Sequence, residues 1–217
     1  MPSRRHLLAA APALALIALA GCSTGPSETA PASSGTSGTA VDASAYPVTI
    51  THAHGSTTIE QAPTRVATIG WADADVVAAL GVVPVGAPKI TWGGNAKGST
   101  DWFDAKATEL GVKDGDIARY DDSAGIPFDD IAATKPDLIL GLSSGVSKED
   151  YDKLSKIAPV VPYTVAPWGT PWQDQLEAIG QALGQPTQAA ALEAATTKTI
   201  ADAVAATGFL AGLAAGW

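Results

Sequence analysis

Lys135-Pro136-Asp137-Leu138-Ile139-Leu140 is the stretch that decides the fold. Pro136 pushes the residue before it out of helical geometry, so the short helix opened by Pro127-Phe128-Asp129-Asp130-Ile131 stops ahead of it. Leu138, Ile139 and Leu140 then form an unbroken apolar run of strand length, the pattern of a strand covered on both faces. Gly141-Leu142-Ser143-Ser144-Gly145 follows as a turn. Ser147 caps the next helix through Asp150, with Tyr151, Leu154 and Ile157 turned inward.

The same alternation extends in both directions. Downstream, Val160-Val161-Pro162-Tyr163 reads as a strand. Thr170-Pro171-Trp172-Gln173 reads as a capping box with proline at the first helical position. The helix it opens carries Trp172, Leu176, Ile179 and Leu183 on one stripe, which makes Trp172 a core residue, and ends at Gly184. A long alanine-rich helix runs from Pro186 to Ala206. Upstream, Val48-Thr49-Ile50 and Thr57-Thr58-Ile59 flank Gly55 as a hairpin, and Arg65 to Ile69 is a strand. Asp73 is placed to cap a helix bearing Val76, Val77 and Leu80, which Gly81 ends. Val82 to Gly86 is the next strand, and residues 89–126 read as loop. Strands alternating with helices predict βαβ units, hence an α/β fold with a Rossmann-like parallel sheet covered on both faces. Ligands of such sheets sit at the carboxyl ends of the strands.

The chain has 217 residues and a formal charge of −9. Its acidity, with no basic stripe, argues against nucleic-acid binding. Arg4 and Arg5 precede an apolar run from Leu7 to Ala20 that is interrupted by Pro12. The run falls short of the roughly 20 residues a spanning helix needs and reads as a secretory signal over residues 1–21. Its start, Ser3-Arg4-Arg5-His6-Leu7-Leu8, resembles a twin-arginine export signal and equally suits an ordinary secretory one. Cys22, the only cysteine, follows Leu19-Ala20-Gly21, which resembles the bacterial lipobox. That resemblance implies diacylglycerol on Cys22 and a protein anchored by lipid at the extracytoplasmic face of the cell membrane. Removal of residues 1–21 would leave 196 residues and, with Arg4 and Arg5 gone, a charge of −11. One cysteine excludes a disulfide and a cysteine-based zinc site within the chain. Residues 22–45, rich in Ser, Thr, Gly, Pro and Ala, form a flexible tether whose typical reach is roughly 25 Å.

Tyr46-Pro47-Val48-Thr49-Ile50, Gly55, Ala62-Pro63-Thr64-Arg65-Val66 and the ALGVVPVG of residues 79–86 come in order with the KPDLIL of 135–140 and the YDKLSKIAPV of 151–160. Together they resemble the ferric-siderophore and cobalamin substrate-binding proteins of ABC importers, most closely the iron–siderophore lipoproteins. The resemblance covers residues 46 to about 206. It implies an N-terminal lobe over 46–184, an interlobe helix over 185–206, and a ligand held between two lobes, in a monomer that catalyses nothing and delivers to an ABC permease. The tail, residues 207–217, does not match the family's continuation. The expectation is therefore a truncated or frameshifted product lacking its second lobe. The expected ligand is a ferric siderophore or similar iron chelate, with no cofactor. A haem or cobalamin carrier and a non-binding lipoprotein remnant stand as alternatives.

Trp71, Trp92, Trp102 and Trp168 fall in predicted loops, with Trp71 and Trp168 directly after strands. Large flat side chains at that rim suit a bulky chelated ligand. Packing of the loop onto the sheet is the competing reading, and the better one for Trp102. The resemblance places Arg119 and Tyr120 in a ligand-contacting loop, where an arginine is able to meet anionic oxygen, with a solvated surface arginine as the competing reading. It makes Ser143 and Ser144 rim residues able to hydrogen-bond a ligand, or turn formers only, and aligns Asp129 with an acid that contacts the permease. A helix-start acid stabilised by the dipole is the other reading of Asp129. The Gly141–Gly145 turn also sits where a hydrolase nucleophile elbow would, but all three histidines, His6, His52 and His54, lie upstream of it, out of order for that chemistry. His52 and His54 lack a third metal ligand and read as a solvated hairpin face, and the four tyrosines look isolated.

Overall fold

Val66, Ala67 and Thr68 pair in parallel with Leu138, Ile139 and Leu140 at the centre of a five-stranded sheet. The computed structural model describes residues 41–113 and 115–207. Cys22, the signal segment, the tether up to residue 40 and residues 208–217 lie outside them. Two strands form an antiparallel hairpin, β1 (Val48–His52) and β2 (Gly55–Ile59). The sheet comprises β3 (Val66–Thr68), β4 (Gly86–Pro88), β5 (Ala118–Tyr120), β6 (Leu138–Gly141) and β7 (Val160–Pro162) in the order β5-β4-β3-β6-β7, all parallel. The helices are α1 (Asp73–Ala79), α2 (Asp101–Glu109), α3 (Phe128–Ala133), α4 (Lys148–Leu154), α5 (Trp172–Ala182) and α6 (Pro186–Thr207). The α/β fold and the parallel sheet are as expected.

Alternate residues of each strand feed opposite layers. Val66, Leu138, Leu140 and Val161 pack with Val77 of α1 and with Leu176 and Ile179 of α5. Ala67, Ile139 and Val160 pack with Ile131 of α3 and Leu154 of α4. Ala87 joins Phe103 and Ala107 of α2. Full burial of each large aliphatic side chain contributes about 1.5–3 kcal/mol. A polar latch fixes the register of β3 against β6. The Asp137 carboxylate accepts the Thr64 and Arg65 N–H groups at 2.8 Å each and the Thr64 hydroxyl at 2.7 Å. Burial opposes ionisation there, but these hydrogen bonds outweigh it and hold the carboxyl below its ordinary range. Arg65 donates back to the Lys135 carbonyl at 2.9 Å, closing the turn after α3.

Several local expectations are corrected. Asp73 does not cap α1; the cap is Ala72, with no side-chain hydrogen bond, and Asp73 is fully buried. The fourth strand lies at Gly86–Pro88 rather than Val82–Gly86. Residues 89–126 hold α2, capped by Thr100 through the Phe103 N–H, and also β5. Only Phe103 and Ala107 of α2 are buried, so it lacks a full apolar stripe. No capping box opens α5: Pro171 is its N-cap, and the Thr170 hydroxyl instead accepts the Thr164 N–H at 3.2 Å. Trp172 is 36% exposed, at the edge of the core rather than in it.

His52 and His54 do not form a solvated face. His52 is buried, and its Nδ1 accepts the His54 N–H at 3.2 Å. The ring proton therefore sits on Nε2, which donates to Thr57 Oγ1 at 2.9 Å, and Thr57 Oγ1 donates to the Val160 carbonyl. His54 Nε2 donates to the Val146 carbonyl at 2.9 Å. Tyr151 and Tyr163, far apart in the chain, converge on the His54 ring at 5.3 and 5.2 Å. The hairpin is thus joined to β7 through Thr57 and to the turn before α4 through His54, with a neutral His52 holding Thr57 in place. Burial, and then the neighbouring His54, push the His52 imidazole below its ordinary 6.5. The folded state then binds fewer protons than the unfolded one, so this contribution is complete above the unfolded value of about 6.5 and declines as pH falls from there toward the lower folded value. Thermal melting followed through this range should show wild-type stability dropping on acidification and a flatter profile for His52→Gln. Parallel profiles would place the acid sensitivity elsewhere.

Candidate ligand-binding site

The sheet reverses its direction of growth at β3, with β4 and β5 added on one side and β6 and β7 on the other. The loops that follow β3 and β6 are joined by the Trp71 N–H on the Ser143 carbonyl, and a cleft opens beside them at the carboxyl ends of the strands. Trp71 follows β3, Trp92 lies between β4 and α2, and Trp168 lies between β7 and α5. All three line one cleft of about 180 Å³, with Ile69, Pro88, Lys89, Ile90, Thr91 and Asp122. Their exposures are 50%, 77% and 65%. An exposed aromatic cluster of this kind marks a contact surface rather than a core. The Trp71 and Trp92 rings meet edge to face, 5.7 Å apart at 74°. Trp168 adopts φ 59°, a left-handed conformation uncommon for a bulky residue and characteristic of constrained sites.

The Ser143–Ser144 turn supports this rim from beneath. The Ser143 carbonyl accepts the Trp71 N–H at 3.0 Å, and the Ser144 carbonyl accepts the Trp168 N–H at 2.9 Å. Ser144 itself is buried; its hydroxyl donates to the Gly141 carbonyl and accepts the Val146 N–H. It shapes the turn and is not a free donor at the rim. The Ser143 hydroxyl accepts Gln175 Nε2 at 2.6 Å, and the Ser143 N–H donates to Asp73 Oδ1 at 3.0 Å.

The other expected residues separate. Tyr120 lies on β5, not in a loop, and is buried, with its hydroxyl 3.3 Å from Thr134 Oγ1. It belongs to the core and not to the cleft. Arg119, also on β5, stacks 4.8 Å over Phe103 and donates to Ser99 Oγ at 2.9 Å. Burial holds its guanidinium below the usual arginine range, against the pull of Asp104 and Asp75. It lines a groove of about 360 Å³ along α2, with Lys97 and Lys113, and a small adjoining pocket that it shares with Trp71, Pro88 and Ile90 of the tryptophan cleft. Trp102 lies on α2, 52% exposed and outside the cleft. Asp129 is exposed in the first turn of α3. Lys89, Ile90 and Asp122 also line the cleft: Lys89 and Ile90 because β4 ends at Pro88, two residues later than Gly86, and Asp122 because it follows β5, a strand hidden in loop-like sequence. Among the described residues no group of three or more His, Cys, Asp or Glu converges to hold a metal ion, and no helix is long and apolar enough to cross a membrane.

A parallel α/β lobe with a cleft at the carboxyl ends of its strands has the place where ligands of such sheets bind. Residues 66–210 match the Periplasmic binding protein family, and the chain belongs to that family. Among solved structures, it is 42% identical to PiaA of Streptococcus pneumoniae TIGR4 in complex with ferrichrome, covering 71% of this chain and 50% of that one, with a TM-score of 0.67. A periplasmic solute-binding protein of Mycobacterium smegmatis is 36% identical, over 68% of this chain and 50% of its own, with a TM-score of 0.62. SirA of Staphylococcus aureus, complexed with staphyloferrin B, is 31% identical, over 71% and 48%, with a TM-score of 0.57. This chain thus spans about half the length of these structures. No curated protein sequence matches it.

A Cβ added at Gly145 would lie 2.4 Å from Trp168 Nε1. The exposed indole is free to turn away, so Gly145→Ala should displace it from the cleft at a stability change of under about 1 kcal/mol. The expected readout is a change in acrylamide quenching of tryptophan fluorescence that vanishes in a Trp168→Phe background. Identical quenching before and after substitution would show that the ring does not sit against Gly145.

Proposed function

We propose that this chain is the ligand-binding lobe of an extracytoplasmic lipoprotein that binds a ferric siderophore or similar iron chelate and delivers it to an ABC permease, without chemical conversion. The observation that carries the reading is the convergence of Trp71, Trp92 and Trp168 on one cleft at the carboxyl edge of the sheet. The likeness to PiaA with ferrichrome and to SirA with staphyloferrin B supports the ligand class. The lining carries one cation, Lys89, and one anion, Asp122, so its walls present little net charge. Ring faces then supply most of the contact area. Such walls favour a nearly neutral ferric hydroxamate over a strongly anionic tris-catecholate, which needs a basic site.

Tryptophan fluorescence titration with ferric hydroxamate, catecholate and citrate complexes tests this. Quenching by the hydroxamate at the lowest concentration, weakened at least about tenfold in Trp71→Ala/Trp168→Ala, is expected. No quenching by any complex, in a form of the protein carrying both lobes, would sink the assignment.

Anchoring through diacylglycerol on Cys22 and permease contact through Asp129 complete the proposal. Asp129 is exposed on α3, away from the tryptophan cleft, and so is free to meet another protein. In cells, Cys22→Ser should release the protein from the membrane fraction. Asp129→Ala should leave chelate binding intact and reduce iron uptake. Retention of the serine variant on the membrane counts against the anchor, and unchanged uptake counts against the contact.

A further inference from the structure

Asp73 is the first residue of α1, yet its carboxyl is turned away from the helix and wholly buried. Oδ1 accepts the Ser143 N–H at 3.0 Å and Gln175 Nε2 at 2.7 Å. Oδ2 has no hydrogen-bond partner and sits against Gly70, where a Cβ would lie 2.1 Å from it. A buried carboxyl with an unpartnered oxygen is unfavourable unless it secures something else. Burial pushes it above the ordinary carboxylate range, against the hydrogen bonds from Ser143 and Gln175, and so toward its neutral form.

What Asp73 touches is the turn on which both rim tryptophans hang. Ser143 holds the Trp71 backbone and Ser144 holds that of Trp168. Trp168, left-handed at φ 59°, is held there by its N–H on the Ser144 carbonyl, the kind of surrounding contact such a conformation needs. Gln175 Nε2 binds Asp73 Oδ1 and Ser143 Oγ together, which ties the turn to α5 as well as to α1. We propose that Asp73 is the positioning residue of the tryptophan cleft: by clamping the Ser143–Ser144 turn it sets Trp71 and Trp168 as one unit. Its importance to binding rests on the reading of this cleft as the ligand site, but the test needs no ligand. Failure of every ferric complex to bind would leave its result standing.

The edge-to-face Trp71–Trp92 pair, held in a fixed asymmetric setting, contributes to the near-ultraviolet circular dichroism, and its share is assigned by the difference from Trp92→Phe. Asp73→Ala in the full chain, with unchanged far-ultraviolet signal, should lower that near-ultraviolet contribution at least about twofold and also change the acrylamide quenching of Trp168. Asp73→Asn keeps an acceptor oxygen on a neutral side chain and should restore both. A folded alanine variant with wild-type signals overturns the proposal. So does a change at Trp71 alone, which would make Asp73 a local brace of α1, and so does an asparagine variant as impaired as alanine. Should the alanine variant not fold, hydrogen exchange in the wild-type protein decides. The Trp71, Ser143 and Trp168 amides should open together, with protection agreeing within about threefold; a spread beyond about tenfold overturns the clamp.

Discussion

The parallel pairing of β3 with β6 is the constraint on which the rest of the lobe depends. Its six residues are covered on both sides, and the Asp137 latch to Thr64 and Arg65 prevents a slip of register. A one-residue slip would exchange the faces of every strand residue, sending Ile139 toward α5 and Leu138 and Leu140 toward α4. The same pair is where the sheet changes its direction of growth. Layer packing, the crevice and the position of Trp71 all follow from these few hydrogen bonds.

Features set by neighbours in the chain were legible in advance. Pro136 ended α3, and the unbroken apolar run after it was a strand of the central sheet. Ser147 capped α4 through the Asp150 N–H. Gly184, with φ 65°, closed the turn between α5 and α6. Features set across the chain were not legible. Asp73 looks like a helix cap because an acid before an apolar run usually is one, while its partner Gln175 is 102 residues away. The Thr170 hydroxyl had two local donors to choose between, and the loop geometry selected Thr164. Tyr120 looked like a rim residue because α2 and β5 were hidden in a stretch of loop-like composition, which also concealed the edge of the sheet. Of the site, the three tryptophans and the Gly141–Gly145 turn were visible in the right places, whereas the backbone hydrogen bonds by which that turn joins Trp71 to Trp168 were not.

The cleft combines exposed, mutually contacting rings with a supporting layer that is dry and hydrogen-bonded. Ring faces tolerate varied ligand shapes, but only if the backbones carrying them stay put. The left-handed Trp168 and the partly unsatisfied Asp73 are both unfavourable taken alone. They occur in one contiguous network under the rim, and strain of this kind persists where the surroundings over-determine it.

The two ends of the sheet are finished in different ways. Beside β7 the hairpin closes in, with the Ala53 N–H on the Tyr163 carbonyl and Thr57 on the Val160 carbonyl. Beyond β5 no described strand follows, and that strand has three residues, an arginine at its centre and Asp121 directly after it. So short and charged a margin offers a poor template for strand addition from another molecule. Many copies crowded side by side on one surface would therefore remain individually folded bodies and would not zip together edge to edge.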